Sequence, residues 1–400
     1  MNRITQCLHG RGTVSGVMKH RHSRPDQVPS RYLAYAGIHR PVVFWNLTDR
    51  CNLACSHCYS RSGPDRDTAP ELTTREALAL IDDFVAMGVP LILFSGGEPL
   101  LREDIWELAR HAAQKGIKMA LSTNGTLITA AIARKIKESG IEYAGISLDG
   151  AGPATHDRFR NAPGAFERSI AAFSHCRDAG VRCGVRITLT QENCGELGAL
   201  VDRALAIGAS RFCLYWLVPA GRGIEEYARL QLDPGAVAAS LDLLHRKARE
   251  TGSGDMEFLT VDAPQDGIRL LRFMEEEQSP DLGDARSLIA SSHGGCSAGD
   301  RVANIDPQGN VYPCQFARSP AFLIGNVREK RFSELWADSS HPVLARFRER
   351  PLPLTGACGQ CRHRELCGGG CRVRAYAATG DFYGDDPFCS VNEEESRRTQ

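Results

Sequence analysis

The chain has no excess of charge: its 400 residues carry 48 Lys and Arg against 48 Asp and Glu. Phosphate-binding surfaces normally need a basic surplus, so nucleic acid is not an expected partner. No apolar run reaches the roughly 18 to 20 residues of a membrane span. The opening MNRITQCLHGRGTVSG also lacks the apolar core of a secretory leader. Together these absences predict a cytoplasmic protein with no membrane partner, in a compartment where thiols stay reduced. Tandem repeats beyond a strand–helix period and low-complexity tracts are missing too. At 42% hydrophobic residues, the chain has enough apolar content for more than one buried core.

Cysteine is the residue in excess, with 15 in all. A disulfide framework suits small secreted chains, and this chain is neither. Cys51, Cys55 and Cys58 form one group, spaced C-x-x-x-C-x-x-C, and seven more fall between Cys296 and Cys389. Clustering at short spacing in a reduced compartment points to metal. Cys176, Cys183 and Cys213 sit inside apolar periodic segments and are expected to be buried small apolar residues.

From about residue 42 to 250, short apolar runs alternate with amphipathic stretches. The runs are 42–47, 91–94, 117–122, 143–148, 185–190 and 212–218. Six β–α units in series predict an α/β fold, a partial (β/α)6 TIM-like barrel with a parallel sheet and right-handed crossovers. Such folds place function at the C-terminal strand ends. Here those ends read DRCNLACSHC, SGGEP, TNG and DG, four polar ends in succession. The division expected is an N-terminal extension over 1–40, the barrel over 41–250, a polar linker over 251–295, a loop-rich cysteine domain over 296–390 and a tail over 391–400. That last domain has little apolar sequence, and metal would supply the stability it lacks.

Three thiolates on one loop can hold three irons of a cubane and leave the fourth open to a ligand. With Tyr59 after the third cysteine and SGGEP (Ser95 to Pro99) after the second strand, the sequence resembles the radical S-adenosylmethionine (SAM) superfamily. A zinc loop completed by His57 is the alternative, and it leaves SGGEP unexplained. The resemblance implies that Cys51, Cys55 and Cys58 bind a [4Fe–4S] cluster whose unique iron SAM chelates. It also implies contacts from Gly96, Gly97 and Glu98 to the methionine amino end, with Ser122, Asn124 and Ser147 at the ribose and carboxylate. Arg160 would pair with the SAM carboxylate, which a guanidinium matches bidentately. An electron donor such as flavodoxin or ferredoxin is implied as a partner.

The C-terminal cysteines are similar to the SPASM extension of radical SAM enzymes, which holds auxiliary [4Fe–4S] clusters. Carried over, Cys358, Cys361, Cys367 and Cys389 form one complete set. Cys296, Cys314 and Cys371 form another with one ligand fewer. Over nearly the whole chain, from RPVVFWNLTDRCNLACSHCY to the ending LTGACGQCRHRELCGGGC, the text resembles the haem-tailoring branch. That branch implies a tetrapyrrole substrate, with acetate side chains of didecarboxysirohaem removed to leave methyl groups through a deoxyadenosyl radical. NirJ-like removal of propionates is one alternative. A SPASM peptide or protein maturase is another, although the roughly forty residues before the barrel are short for a peptide-recognition module. For the substrate, Arg222, Tyr215 and Trp216 are the candidates, flanked by Arg211. Cys7, His9, His20 and His22 are candidates to approach a haem iron.

Overall fold

The computed structural model describes residues 1–10, 40–64, 66, 69–252, 254–290 and 295–391. His20 and His22 lie outside the described residues. The six expected strands form as β2 (Val42–Asn46), β3 (Leu91–Ser95), β4 (Lys118–Thr123), β5 (Tyr143–Ser147), β6 (Arg182–Leu189) and β7 (Arg211–Trp216). Each pairs parallel with the next. Helices cover the crossovers, and their ends follow from the sequence. The helix Thr74–Met87 starts at a Thr73–Glu76 capping box and stops at Gly88, with φ 73°.

The segment expected to be a linker is instead part of the sheet. Its residues Glu257–Val261 form β8, parallel to β7, and helices Asp266–Glu276 and Leu282–Ala290 follow. The polar flanks of EFLTV hid a short strand, because all its residues but the last are buried. The N-terminal extension joins it: β1 (Asn2–Arg3) runs antiparallel to β8. The cysteine domain is likewise continuous with the barrel. Strand β9 (Val302–Ile305) pairs parallel with β2, and β10 (Asn310–Tyr312) and β11 (Gly325–Asn326) extend that edge antiparallel. The order is β1-β8-β7-β6-β5-β4-β3-β2-β9-β10-β11. No pairing among the described residues joins the two edges, so the barrel is open.

Strand parity assigns the two faces of this sheet. Val43, Trp45, Ile92, Phe94, Ile146, Val185, Phe212 and Leu214 turn outward into the main apolar core. Phe44, Leu93, Ala120, Tyr143, Arg186, Cys213 and Val261 turn inward and line one cavity. Strands from both halves of the sheet therefore face the same space, and the sheet curves around it.

Parity also overturns one expected substrate residue. Tyr215 faces this cavity, whereas Trp216 is buried and borders only a smaller space beside the Cys51–Cys58 loop. Its indole nitrogen donates to Asp266 Oδ2 at 2.7 Å, and its ring lies 5.1 Å from Phe388. Burial pushes the Asp266 carboxyl up to about 7 from 3.8. Replacing Trp216 by Phe should lower unfolding free energy by about 1–3 kcal/mol, because Asp266 loses the indole donor. The raised folded value means that Asp266 stabilises the fold while protonated. That contribution is lost as pH rises from about 4 through about 7. Denaturant titrations at pH 5 and pH 8 should show a smaller drop in Asp266→Asn than in the unmodified protein.

Candidate active site

The loop after β2 carries the first cysteines. Cys51 and Cys55 are buried and Cys58 is partly exposed. Hydrogen-bond donors point at their sulfurs: the Leu53 amide at 3.4 Å and Asn124 Nδ2 at 3.9 Å toward Cys51, and Arg160 at 3.5 Å toward Cys55. Such donors support thiolate ligands. Burial, joined by Glu98, raises the Cys51 thiol to about 12, and burial raises that of Cys55. Both are therefore protonated at neutral pH without metal, and loading a cluster must release those protons. Among the described residues no three Cys, His, Asp or Glu side chains converge on a single point. His57, the alternative zinc ligand, instead lies flat on Phe159 at 4.3 Å.

The SGGEP loop packs against this segment backbone to backbone. The Gly97 amide donates to Thr48 O at 2.7 Å and the Glu98 amide to Arg50 O at 2.9 Å. A Cβ on Gly97 would meet Arg50 O at 2.1 Å, so only glycine permits the approach. Glu98 does not reach the cavity as expected. Its carboxylate is fully buried and accepts from the Leu100 amide, Thr123 Oγ1 and the Asn124 amide at 3.2, 2.8 and 2.9 Å. It locks the β3 end to the β4 end. The Asn124 side chain is likewise committed, donating to Asn52 and accepting from Thr126.

A cavity of about 140 Å³ lies above the sheet, lined by the three cysteines, Ser95, Gly96, Gly97, Ser122, Asn124, Ser147 and Arg160. Except for Glu98, the structure brings together every residue expected at the SAM site. Ser122 and Ser147 face it with hydroxyls that have no protein partner among the described residues. Arg160 is at its wall but pairs with the buried Asp149.

A second cavity of about 300 Å³ adjoins it deeper in the barrel, at the low end of the small-molecule range. Cys296, Cys314 and Cys371 line this space, while Cys358, Cys361, Cys367 and Cys389 surround a small separate one. The expected division into a three-thiol and a four-thiol group is thus the division seen in space. Gln315 and Phe316, next to Cys314, line both larger cavities, and Phe316 sits 5.6 Å from the Tyr59 ring.

Several substrate expectations need correction. Arg222 is held under the cluster loop, with its Nε donating to Cys55 O at 2.8 Å and its amide to Cys58 O at 2.9 Å. It positions that loop and lines neither cavity. His9 bonds to Ala248 O at 3.1 Å, whereas Cys7 lines the larger cavity. Arg211 lines it too but is paired with Glu257 at 2.8 Å. Cys213, read as plain core, faces the larger cavity.

Sequence reasoning missed Arg186 and Asp262. Arg186 is a cation at an inward position of β6, set in a run of apolar residues, and that contrast is a usable signal. Asp262 follows β8 with φ 73°, and its Oδ2 has no partner among the described residues. Burial pushes its carboxyl up to about 7. It was unreadable because its strand was not recognised.

The radical SAM superfamily matches residues 45–204, and the SPASM iron–sulfur cluster-binding domain matches 296–362. The chain is 39% identical to an Fe-coproporphyrin III synthase of Methanosarcina barkeri, covering 96% of each chain. It is 38% identical to a pre-heme d1 synthase of Dinoroseobacter shibae, covering 90% of this chain and 88% of that one. This chain is a haem-tailoring radical SAM enzyme with a SPASM domain. Its cofactors are SAM and [4Fe–4S] clusters. It is also 34% identical to mycofactocin maturase MftC of Mycobacterium tuberculosis, over 88% of this chain and 84% of that one. The fold matches SAM-bound SuiB of Streptococcus suis with a TM-score of 0.68 at 18% identity, covering 88% and 77% of the two chains. No helix among the described residues is long and apolar enough to cross a membrane.

Arg222→Met should loosen the cluster loop and cut retention of the first cluster about tenfold, the scale typical of supporting contacts. Iron counting and electron paramagnetic resonance on a variant lacking the auxiliary cysteines would measure it. Unchanged retention would return Arg222 to a substrate role.

Proposed function

We propose that this enzyme removes the acetate side chains of didecarboxysirohaem and leaves methyl groups, in a cytoplasmic branch of haem biosynthesis. One observation carries the reading. The larger cavity, lined by Cys296, Cys314 and Cys371, shares Phe44, Arg186, Tyr215, Gln315 and Phe316 with the smaller one that the three-cysteine loop lines. Its wall mixes apolar Phe44, Leu93, Val261 and Ile289 with the guanidinium groups of Arg186, Arg211 and Arg301. A flat, largely apolar macrocycle carrying several carboxylates suits that lining. The nearly full-length likeness to an Fe-coproporphyrin III synthase supports the same substrate class.

In this reading Cys51, Cys55 and Cys58 hold the first cluster. Ser95, Gly96, Gly97, Ser122 and Ser147 cradle SAM, and Arg160, oriented by Asp149, faces its carboxylate. When bound, cluster and SAM supply a deoxyadenosyl radical that can take hydrogen from a side-chain methylene. Tyr215 and Arg186 stand between that site and the larger cavity. Gln315 and Phe316 form wall common to both spaces. Cys358, Cys361, Cys367 and Cys389 would hold one auxiliary cluster, and Cys296, Cys314 and Cys371 would hold a second with one protein ligand fewer. A flavodoxin or ferredoxin would supply the electrons.

The decisive assay incubates anaerobically reconstituted protein with SAM, reductant and didecarboxysirohaem and follows product mass. Loss of two acetate side chains, with deoxyadenosine formed in proportion, is expected. Loss of propionates would assign the NirJ-like reaction instead. SAM turnover with an intact macrocycle would favour a peptide substrate. Replacing Cys358 and Cys361 by Ser should remove auxiliary iron and most product while SAM cleavage persists. Unchanged iron and turnover would remove the auxiliary role.

A further inference from the structure

Arg186 projects inward from the centre of the parallel sheet and lines both cavities. Among the described residues it makes no ion pair or hydrogen bond, and its guanidinium carbon lies over the Tyr215 ring at 4.6 Å. Arg211 nearby has a carboxylate partner in Glu257. Removing a guanidinium from bulk water without an anion is costly, so such groups are normally paired. The fold makes room for this one. Gly145, on the neighbouring strand, has no side chain, and a Cβ there would come within 2.6 Å of Arg186 Cδ. In register, Arg186 sits between Ser147 of β5, at the SAM-side cavity, and Cys213 of β7, at the larger one.

We propose that Arg186 anchors a carboxylate of the substrate where the two cavities meet, holding the attached side chain toward the radical site. This rests on the tetrapyrrole reading above and adds to it the residue that orients the reacting group. A guanidinium grips a carboxylate through two parallel N–H bonds, which fixes direction as well as distance. Fixed direction is what hydrogen abstraction from one chosen methylene requires. Among the described residues the cation rests on the Tyr215 ring and keeps its N–H groups free of carboxylate hydrogen bonds, which leaves them for the substrate.

Arg186→Gln, Arg186→Lys and Arg186→Met in the reconstituted full chain test this. For didecarboxysirohaem, KM should rise about 10- to 100-fold in Arg186→Gln, the range for a lost charge-assisted contact. Arg186→Lys should recover part of it, because charge returns without the fork. In Arg186→Gln the KM for didecarboxysirohaem should rise about fivefold or more beyond any rise in the KM for SAM, the scale of one charge-assisted hydrogen bond. Without substrate, Arg186→Met should unfold at or above the wild-type temperature, because an unpaired cation is replaced by an apolar chain. A structural role would instead lower that temperature.

A raised KM for SAM with an unchanged tetrapyrrole KM would place Arg186 in the SAM site and overturn the proposal. So would wild-type behaviour of Arg186→Gln toward both. If the wild-type enzyme neither binds iron-coproporphyrin III by absorbance titration nor turns over didecarboxysirohaem, the functional reading itself falls, and the anchor with it.

Discussion

The cysteine-bearing segment 358–389 is built from short helices joined by turns, and its placement depends on one buried ion pair. Arg374 and Asp386 have side chains 0% and 1% exposed and meet through two bonds of 2.7 and 2.9 Å. Asp386 also accepts from the amides of Cys371 and Phe388. Arg374 reaches Leu217 O beyond β7 and Asp262 O beyond β8. The adjoining Asp385 accepts from the Ala357 and Cys358 amides. Two consecutive aspartates therefore set both C-terminal cysteine groups, and one arginine ties them to the barrel. A charge buried this deeply is tolerated only with its partner, and removing either one costs about 3–5 kcal/mol. The pair thus works as a register pin between two domains that share a sheet.

That shared sheet explains why the site is a single space. The pairing of β9 with β2 brings Val302 beside Val42, and the chain then runs through β10 to Cys314 at the cavity. Pairing of β8 with β7 carries Asp262 to the same mouth from the other side. The catalytic loops and the auxiliary cysteines face one another because each hangs from an end of the same inward-facing surface. No separate docking of two bodies is needed.

How legible this was in sequence follows from the range of each interaction. The cysteine spacings and SGGEP act locally, over a handful of residues, and they marked the first loop and the division of the C-terminal thiols. The six central strands were legible because parallel strands buried on both faces are continuous apolar runs. Strand β8 was not, because Glu257 looks like a linker residue until Arg211 is known to pair with it across the strands. Trp216 and Arg222 were misplaced for different reasons. The first is an error of parity that alternate counting along β7 would have caught. The second depends on a loop returning beneath Cys55, a contact of 167 residues' separation that no local pattern encodes.

Both three-cysteine groups are buried, and around each, charges that raise the thiols are set against donors or cations that lower them. Around the first, the donors from Leu53, Asn124 and Arg160 offset the charge of ligating thiolates. Around the second, Cys296, Cys371 and Asp262 all push the Cys314 thiol upward, beyond what burial does. Asp262 and Arg186 act on each other and both act on Cys213, so carboxyl and cation face the same space. Coulomb interactions act strongly in a space of low polarisability. A substrate with carboxylates at several positions therefore gains most by turning one toward Arg186 and keeping the rest away from Asp262. On the tetrapyrrole reading, Arg186 is the group that turns one such side chain toward the SAM cavity, because it lines both spaces.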